Sequence, residues 1–180
     1  MRKVLYILGE LSDSDVEWLI ATGSKESLVA GQVLIEQGMP ITTLYIVLDG
    51  QLWVGTVRAG RESEVARLGT GEIVGEMSFV DSRPPSATVK ALTASVVLSI
   101  PRPVLVAKLE QDAEFAARFY HALAIFLANR LRGMVSSFGY GDDTQDAEQS
   151  DADELDDNVL DNVYLAGSRF DRLLKRLMNA

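Results

Sequence analysis

Residues 73–89 read IVGEMSFVDSRPPSATV, and this stretch carries more information than any other part of the chain. It opens on Gly75-Glu76-Met77, passes through a turn-rich insert, Asp81-Ser82-Arg83-Pro84-Pro85, and closes on Ser86-Ala87-Thr88-Val89. Gly75 lets the backbone come close to a bound group. Glu76-Met77-Ser78-Phe79-Val80 reads as one helical turn whose first N–H groups point at an anion. The backbone around Ser86 and Ala87 can add further N–H donors, and the Ser86 hydroxyl can reach the same place. These residue types together describe a cradle for a small anion.

The surrounding chain has the texture of a β protein. From about Ser27 to Ile100, short apolar runs rich in Val, Ile and Leu are punctuated by Ala30-Gly31, Gln37-Gly38, Asp49-Gly50, Ala59-Gly60 and Gly69-Thr70-Gly71. Short strands with regular glycine breaks indicate an all-β barrel or jelly roll. Leu44-Tyr45-Ile46-Val47-Leu48 and Gln51-Leu52-Trp53-Val54-Gly55-Thr56-Val57 flank Asp49-Gly50, a dipeptide that predicts a hairpin between them.

Three ordered blocks carry a family likeness. They are Val29-Ala30-Gly31-Gln32-Val33-Leu34-Ile35-Glu36-Gln37-Gly38, Leu44-Tyr45-Ile46-Val47-Leu48-Asp49-Gly50, and the stretch 73–89. In this order and separation they resemble the cyclic-nucleotide-binding domain family, of the catabolite activator and protein kinase A regulatory subunit type, over roughly residues 10–137. The resemblance implies an α+β, mainly β fold: an eight-stranded jelly-roll barrel with an N-terminal helix and long C-terminal helices. It also implies that Gly75, Glu76, Met77, Ser78, Arg83, Ser86, Ala87 and Thr88 surround a ligand such as cyclic AMP or cyclic GMP. Glu76 would accept a hydrogen bond from the ribose 2′-hydroxyl. Without a ribose, it would cap its helical turn or pair with a nearby cation. The far end of the long helix, Arg130 to Ser137, would close the pocket, with Arg132, Met134 and Val135 as contacts on the purine side.

One position departs from the family pattern. Pro85 stands where the family places its phosphate-binding arginine, and proline has neither a charge nor a backbone N–H. Losing one partner of a desolvated charge pair costs about 2–5 kcal/mol, which weakens binding by roughly tens to thousands-fold. Arg83 is the nearest cation in sequence. However, Arg83-Pro84-Pro85 favours extended backbone, which carries that side chain away from the cradle and leaves it a solvated turn residue.

Helical sequence flanks the β region. Ser12 or Asp13 can cap a helix to Ala21 with Leu11, Val16, Leu19 and Ile20 on one stripe. The first segment, ending at Glu10, reads as buried chain and not as a signal peptide, because acidic residues follow it where a cleavage site would stand. After Pro101 and Pro103 a short helix runs to Glu110 and a long one over 113–136. Ala116, Tyr120, Leu123, Leu127, Leu131 and Met134 form one apolar stripe of that helix, and Phe115, Phe119, Ala122, Ile125 and Phe126 widen it. So broad a face implies two partners: its own domain, and either the same helix of a second subunit or the C-terminal tail. Phe170, Leu173, Leu174, Leu177 and Met178 make an amphipathic helix whose other side bears Arg169, Arg172, Lys175 and Arg176. It would dock on its own domain, in the groove of a partner protein or, least of all, on an anionic membrane. The domain organisation expected is a ligand-binding-like domain over 1–138, an acidic flexible linker over 139–162 and the basic amphipathic helix over 163–180.

Charge and composition exclude several functions. The net charge is −9, yet residues 142–162 alone hold ten acidic and no basic side chains, so the remaining body is nearly neutral. No basic stripe for nucleic acid is present, and no helix-turn-helix follows the long helix, so DNA is not an expected partner. No apolar stretch is long enough to cross a membrane. The absence of cysteine rules out disulfides and thiolate chemistry and fits a reducing cytoplasm. His121 is the only histidine and lies within the apolar long helix, so no catalytic base or histidine metal cluster is expected. The acidic run lacks the glycine of an EF-hand loop, so neither metal nor cofactor is expected. Two functions remain: a non-enzymatic sensor that relays cyclic-nucleotide occupancy through its C-terminal helices, or a ligand-free pseudo-sensor that serves as a dimerisation or docking scaffold.

Overall fold

We describe residues 5–58, 60–137 and 157–178 of a computed structural model. Residues 1–4, Gly139-Tyr140-Gly141 and the acidic run as far as residue 156 lie outside the described residues, as does the Met134 side chain.

Among the described residues, eight strands build two four-stranded antiparallel sheets. β1 (Ser24–Leu28), β8 (Ser95–Pro101), β3 (Thr43–Asp49) and β6 (Ile73–Val74) lie side by side in the first. β2 (Val33–Ile35), β7 (Thr88–Ala91), β4 (Gln51–Arg58) and β5 (Arg61–Gly69) make the second. The expected eight-stranded jelly roll is present as an open roll of two sheets, not as one continuously hydrogen-bonded barrel among the described residues. Each strand sends at least one apolar side chain into the core between the sheets, among them Leu28, Ile35, Val47, Leu52 and Val97.

Within the first sheet β3 and β8 are buried on both faces, which accounts for their unbroken apolar runs, whereas β1 at its edge is exposed as far as Leu28. Val47 and Val97 point into the roll. Their neighbours Leu44, Ile46, Leu48, Leu98 and Ile100 point the other way, into a second core shared with the helices. The second sheet has a wet outer face. There Trp53 lies across Gly55, and the Lys90 ammonium sits 4.3 Å from its ring centroid.

The hairpin expected at Asp49-Gly50 does not form. β3 pairs with β6 and β8, whereas β4 pairs with β5 and β7, so the chain turns a corner between sheets at Gly50. The backbone groups of Gln51 are taken by the chain entering β8: its N–H donates to Thr93 Oγ1 at 3.1 Å and its carbonyl accepts from Leu92 N at 2.8 Å. Gly50 has φ 91°, and a Cβ there would lie 2.7 Å from Ala94 O and Ser95 Cα. The tight hairpin is instead β4–β5, closed between Arg58 and Arg61.

Among the described residues, six helices complete the fold: α1 (Leu5–Glu10), α2 (Asp13–Thr22), α3 (Glu76–Asp81), α4 (Arg102–Gln111), α5 (Ala113–Ser137) and α6 (Asp157–Met178). Ser12 caps α2 in a reciprocal box with Asp15, whose carboxylate also receives Arg118 of α5 at 2.7 Å. In α5, Phe115 and Phe119 stack with their centroids 5.8 Å apart, Trp18 of α2 meets Phe115, and Phe79 of α3 meets Phe119 edge-on. Phe115, Phe119, Ala122, Leu123 and Phe126 are buried, whereas Tyr120, Leu131 and Val135 remain exposed.

The C-terminal helix begins at Asp157, six residues before the expected boundary, so the end of the expected linker is helical. α6 packs against α1 and α2 of its own chain. Ala166, Phe170 and Leu173 recur at i, i+4 and i+7 and join the helix-side core with Leu8 and Leu11. Its cations meet α2: Arg169 and Arg172 pair with Asp13, and Arg176 pairs with Glu17.

Candidate ligand-binding site

The stretch 73–89 folds around one cavity. β6 ends at Val74, Gly75 turns the chain with φ 90°, and α3 starts at Glu76 without any side-chain cap. A Cβ on Gly75 would lie 2.9 Å from Ile41 Cδ1 and 3.1 Å from Thr43 O, so glycine is required here by both space and torsion. Arg102, at the start of α4, holds the far end of α3. It donates to Ser78 O at 3.2 Å, an oxygen that also accepts the Ser82 N–H, and to Ser82 Oγ at 2.7 Å.

The resulting space, about 410 Å³ including its open mouth, is walled by two chemistries. Aliphatic side chains from the roll, including Ile35, Val54, Leu68 and Val89, form one side. Gly75, Glu76, Met77 and Ser78 from α3, with Pro85, Ser86 and Ala87 from the return to β7, form the other. The structure thus brings six of the eight predicted cradle residues together. Thr88 is buried away from the cavity, and its hydroxyl accepts the Gln37 N–H at 3.1 Å, clasping the turn after β2 to β7. Arg83 is not at the cavity. Its side chain is 84% exposed and lies 3.8 Å from the Asp81 carboxylate, as the two following prolines suggested.

The decisive side chain at the cavity is Arg130 of α5, the first residue of the expected lid stretch but not one of its named contacts. Its Nη1 donates to Glu76 Oε1, its Nη2 approaches Ile73 O at 3.4 Å, and its guanidinium lies 4.7 Å from the Phe126 ring centroid. Glu76 is 2% exposed. Burial pushes its carboxyl above the usual range, and the charge of Arg130 works against that rise. Glu76 therefore has the cation partner that the sequence offered as its alternative to a ribose. Of the expected lid residues, Arg132 and Val135 do not line the cavity: Arg132 bonds Asn129 along the helix at 3.0 Å, and Val135 is exposed, while the Met134 side chain lies outside the described residues. A second, apolar groove lies between α3 and α5, where Met77, Val80 and Leu131 are exposed around the same Arg130.

The arrangement can seat a small molecule with an apolar body, a hydroxyl for Glu76 and an anionic group for Arg130 or the backbone near Ser86. Among the described residues no group of three or more acidic or histidine side chains could hold a metal ion, and no helix is long and apolar enough to cross a membrane.

Comparison with known proteins agrees with this geometry. Residues 25–112 match the model of the cyclic nucleotide-binding domain. The cyclic AMP receptor protein of Thermus thermophilus is 30% identical over 123 residues, which is 68% of this chain and 55% of that receptor. The chain thus spans about half the length of this curated relative. The N-terminal domain of a transcriptional regulator from Streptomyces coelicolor is 30% identical with a TM-score of 0.60, covering 79% of this chain and 99% of that one. The regulatory domain of Toxoplasma gondii PKA with cAMP is 26% identical with a TM-score of 0.53, covering 58% and 42%. The family match and the two relatives at 30% identity show that the chain belongs to the cyclic-nucleotide-binding domain family.

Proposed function

We propose that the chain is a non-enzymatic regulatory module that takes a cyclic nucleotide, cyclic AMP or cyclic GMP, in the cavity beside α3 and relays occupancy through its C-terminal helices. Gly75, Glu76, Met77, Ser78, Ser86 and Ala87 are the proposed contacts. One observation carries this reading: the buried carboxylate of the cradle, Glu76, is tied directly to the long helix by Arg130. A ligand that engages Glu76 must act on that pair, and α5 in turn holds α2 through Arg118–Asp15 and α1 through His121–Glu10. α1 and α2 are the seat of α6, so occupancy has a continuous packed path to the C-terminal helix. The exposed residues Tyr120, Leu131 and Val135 on α5 support a homodimer through this helix, and release of α6 would offer its apolar stripe to a protein partner.

The second reading, a pseudo-sensor scaffold, is favoured by Pro85 and by the fact that Glu76 is already satisfied. Thermal unfolding with and without millimolar cyclic AMP, cyclic GMP or cyclic dinucleotides separates the two. A ligand at a hundred times its dissociation constant stabilises by about 2.7 kcal/mol. A shift abolished by Glu76→Ala supports the sensor, and no shift with any nucleotide leaves the scaffold.

A further inference from the structure

The geometry points to Arg130 as the anion-binding cation of this site: α5, and not the cradle, supplies the charge that meets the ligand's phosphate. The inference rests on the reading that a cyclic nucleotide enters the cavity. Such a ligand brings a full negative charge into a space walled largely by aliphatic side chains and containing a second, buried negative group, Glu76. Without a cation the two charges would repel in a poorly solvated space.

Arg130 is the one cationic side chain that lines the cavity among the described residues. Pro85 occupies the facing wall without charge or N–H, and its carbonyl is taken by Gly38 N at 2.9 Å. Arg83, nearer in sequence, is held outside by Asp81. A guanidinium carries five N–H donors. The described contacts commit one to Glu76 and one to Ile73 O. The fork can therefore keep Glu76 and take a phosphate oxygen at the same time, and the face of Phe126 fixes its plane. The arrangement has a consequence that a cation on the cradle would lack. The charge contact exists only while α5 lies against the cavity, so ligand affinity and the position of α5 form a single equilibrium.

The test is calorimetric titration of the full chain with cyclic AMP, cyclic GMP and uncharged adenosine. The variants are Arg130→Gln, Glu76→Gln, the paired change Glu76→Gln with Arg130→Gln, and Arg130→Gln with Pro85→Arg. Each is first checked for a cooperative melt, and the paired change keeps the measurement meaningful if Arg130→Gln alone leaves a destabilising buried carboxylate. Arg130→Gln is expected to lower cyclic nucleotide affinity by roughly tens- to thousands-fold while adenosine binding stays within about threefold. The paired change should show the same loss of preference for the charged ligand, Glu76→Gln should keep that preference, and Pro85→Arg should restore it. Unchanged cyclic nucleotide affinity in Arg130→Gln, with the wild type binding, overturns this inference alone. Equal losses for cyclic nucleotide and adenosine also overturn it, making Arg130 a positioning residue for Glu76. A wild type that binds no cyclic nucleotide overturns the parent reading and this inference together.

Discussion

Arg118 of α5 grips Asp15 of α2 through two hydrogen bonds, Nε to Oδ2 at 2.7 Å and Nη2 to Oδ1 at 3.2 Å, while the same Oδ2 accepts the Ser12 N–H at 2.8 Å. One carboxylate thus closes the cap of α2 and anchors it to the long helix. Burial raises the Asp15 carboxyl, but Arg118 and Ser12 outweigh it and hold it below the usual carboxylate range. A lowered carboxyl stabilises the fold above its ordinary value of 3.8 and loses that contribution as the pH falls through the lowered value. Arg118→Ala should cost about 1.5–3 kcal/mol near neutral pH, the worth of a charged hydrogen bond. The deficit, read by urea unfolding, should shrink below pH ~4. A deficit constant with pH would mean that Arg118 stabilises only by packing its stem.

Arg169 does comparable work for the C-terminal helix. Its Nη1 donates to Leu8 O and Gly9 O, both at 3.0 Å, and its Nε to Asp13 at 2.6 Å, joining the open carbonyls of α1 to the first turn of α2. Arg169→Ala should loosen α6 without unfolding the roll. Hydrogen exchange is expected to accelerate over 157–178 by roughly tenfold or more, from about 1.5–3 kcal/mol of lost anchoring, while β3 and β8 keep their protection. Leu173→Ala, which empties a fully buried position, should do the same by about 2–5 kcal/mol. Loss of protection in β3 and β8 would show α6 to be part of the cooperative core.

The exposed end of α5 offers a test of assembly. Leu131 and Val135 are 62% and 60% exposed and lie one helical turn apart, and Leu131 shares a groove with exposed Met77 and Val80 of α3. If two copies meet there, the wild type should sediment as a dimer with a concentration-dependent melting temperature, and Leu131→Glu with Val135→Glu should give monomers that still melt cooperatively, without that concentration dependence. A monomeric wild type at tens of micromolar leaves α5 without a second subunit.

Much of this architecture was legible in local chemistry, and what escaped depended on contacts distant in sequence. The short apolar runs between Ser27 and Ile100 read as strands, but not as strands covered on both faces; β3 and β8 are so covered because two cores, the roll and the helices, receive their alternate residues. Gly75 and the Ser86-Ala87 return read correctly as walls of one cavity because they act through backbone close at hand. Asp49-Gly50 misled, since a tight turn does not reveal which sheet its second strand joins. Here Leu92 and Thr93, some 40 residues away in sequence, claim Gln51. Arg130 was hidden for the same reason. Its partner Glu76 lies 54 residues earlier, and no spacing rule on α5 sets it apart from Arg132, which faces water two residues later.

The Glu76–Arg130 pair makes a prediction that needs no ligand. Burial is the larger influence on Glu76 and raises its carboxyl, so ionising it opposes folding: stability from this group is present below its ordinary value of 4.5 and is lost as the pH rises through the raised value. Arg130 offsets that cost. Removing it by Arg130→Ala should leave a buried, unpaired carboxylate and destabilise the domain by about 3–5 kcal/mol near pH 7. Below pH ~4.5 the carboxyl is neutral in both folded and unfolded chains, and the deficit should narrow to the packing lost over Phe126. Glu76→Gln in the Arg130→Ala background should recover most of the loss at pH 7 and remove its pH dependence. Unfolding curves at pH 4 and pH 7 for the three proteins decide the matter, and a loss of equal size at both would show that Arg130 supports the site by shape and not by charge.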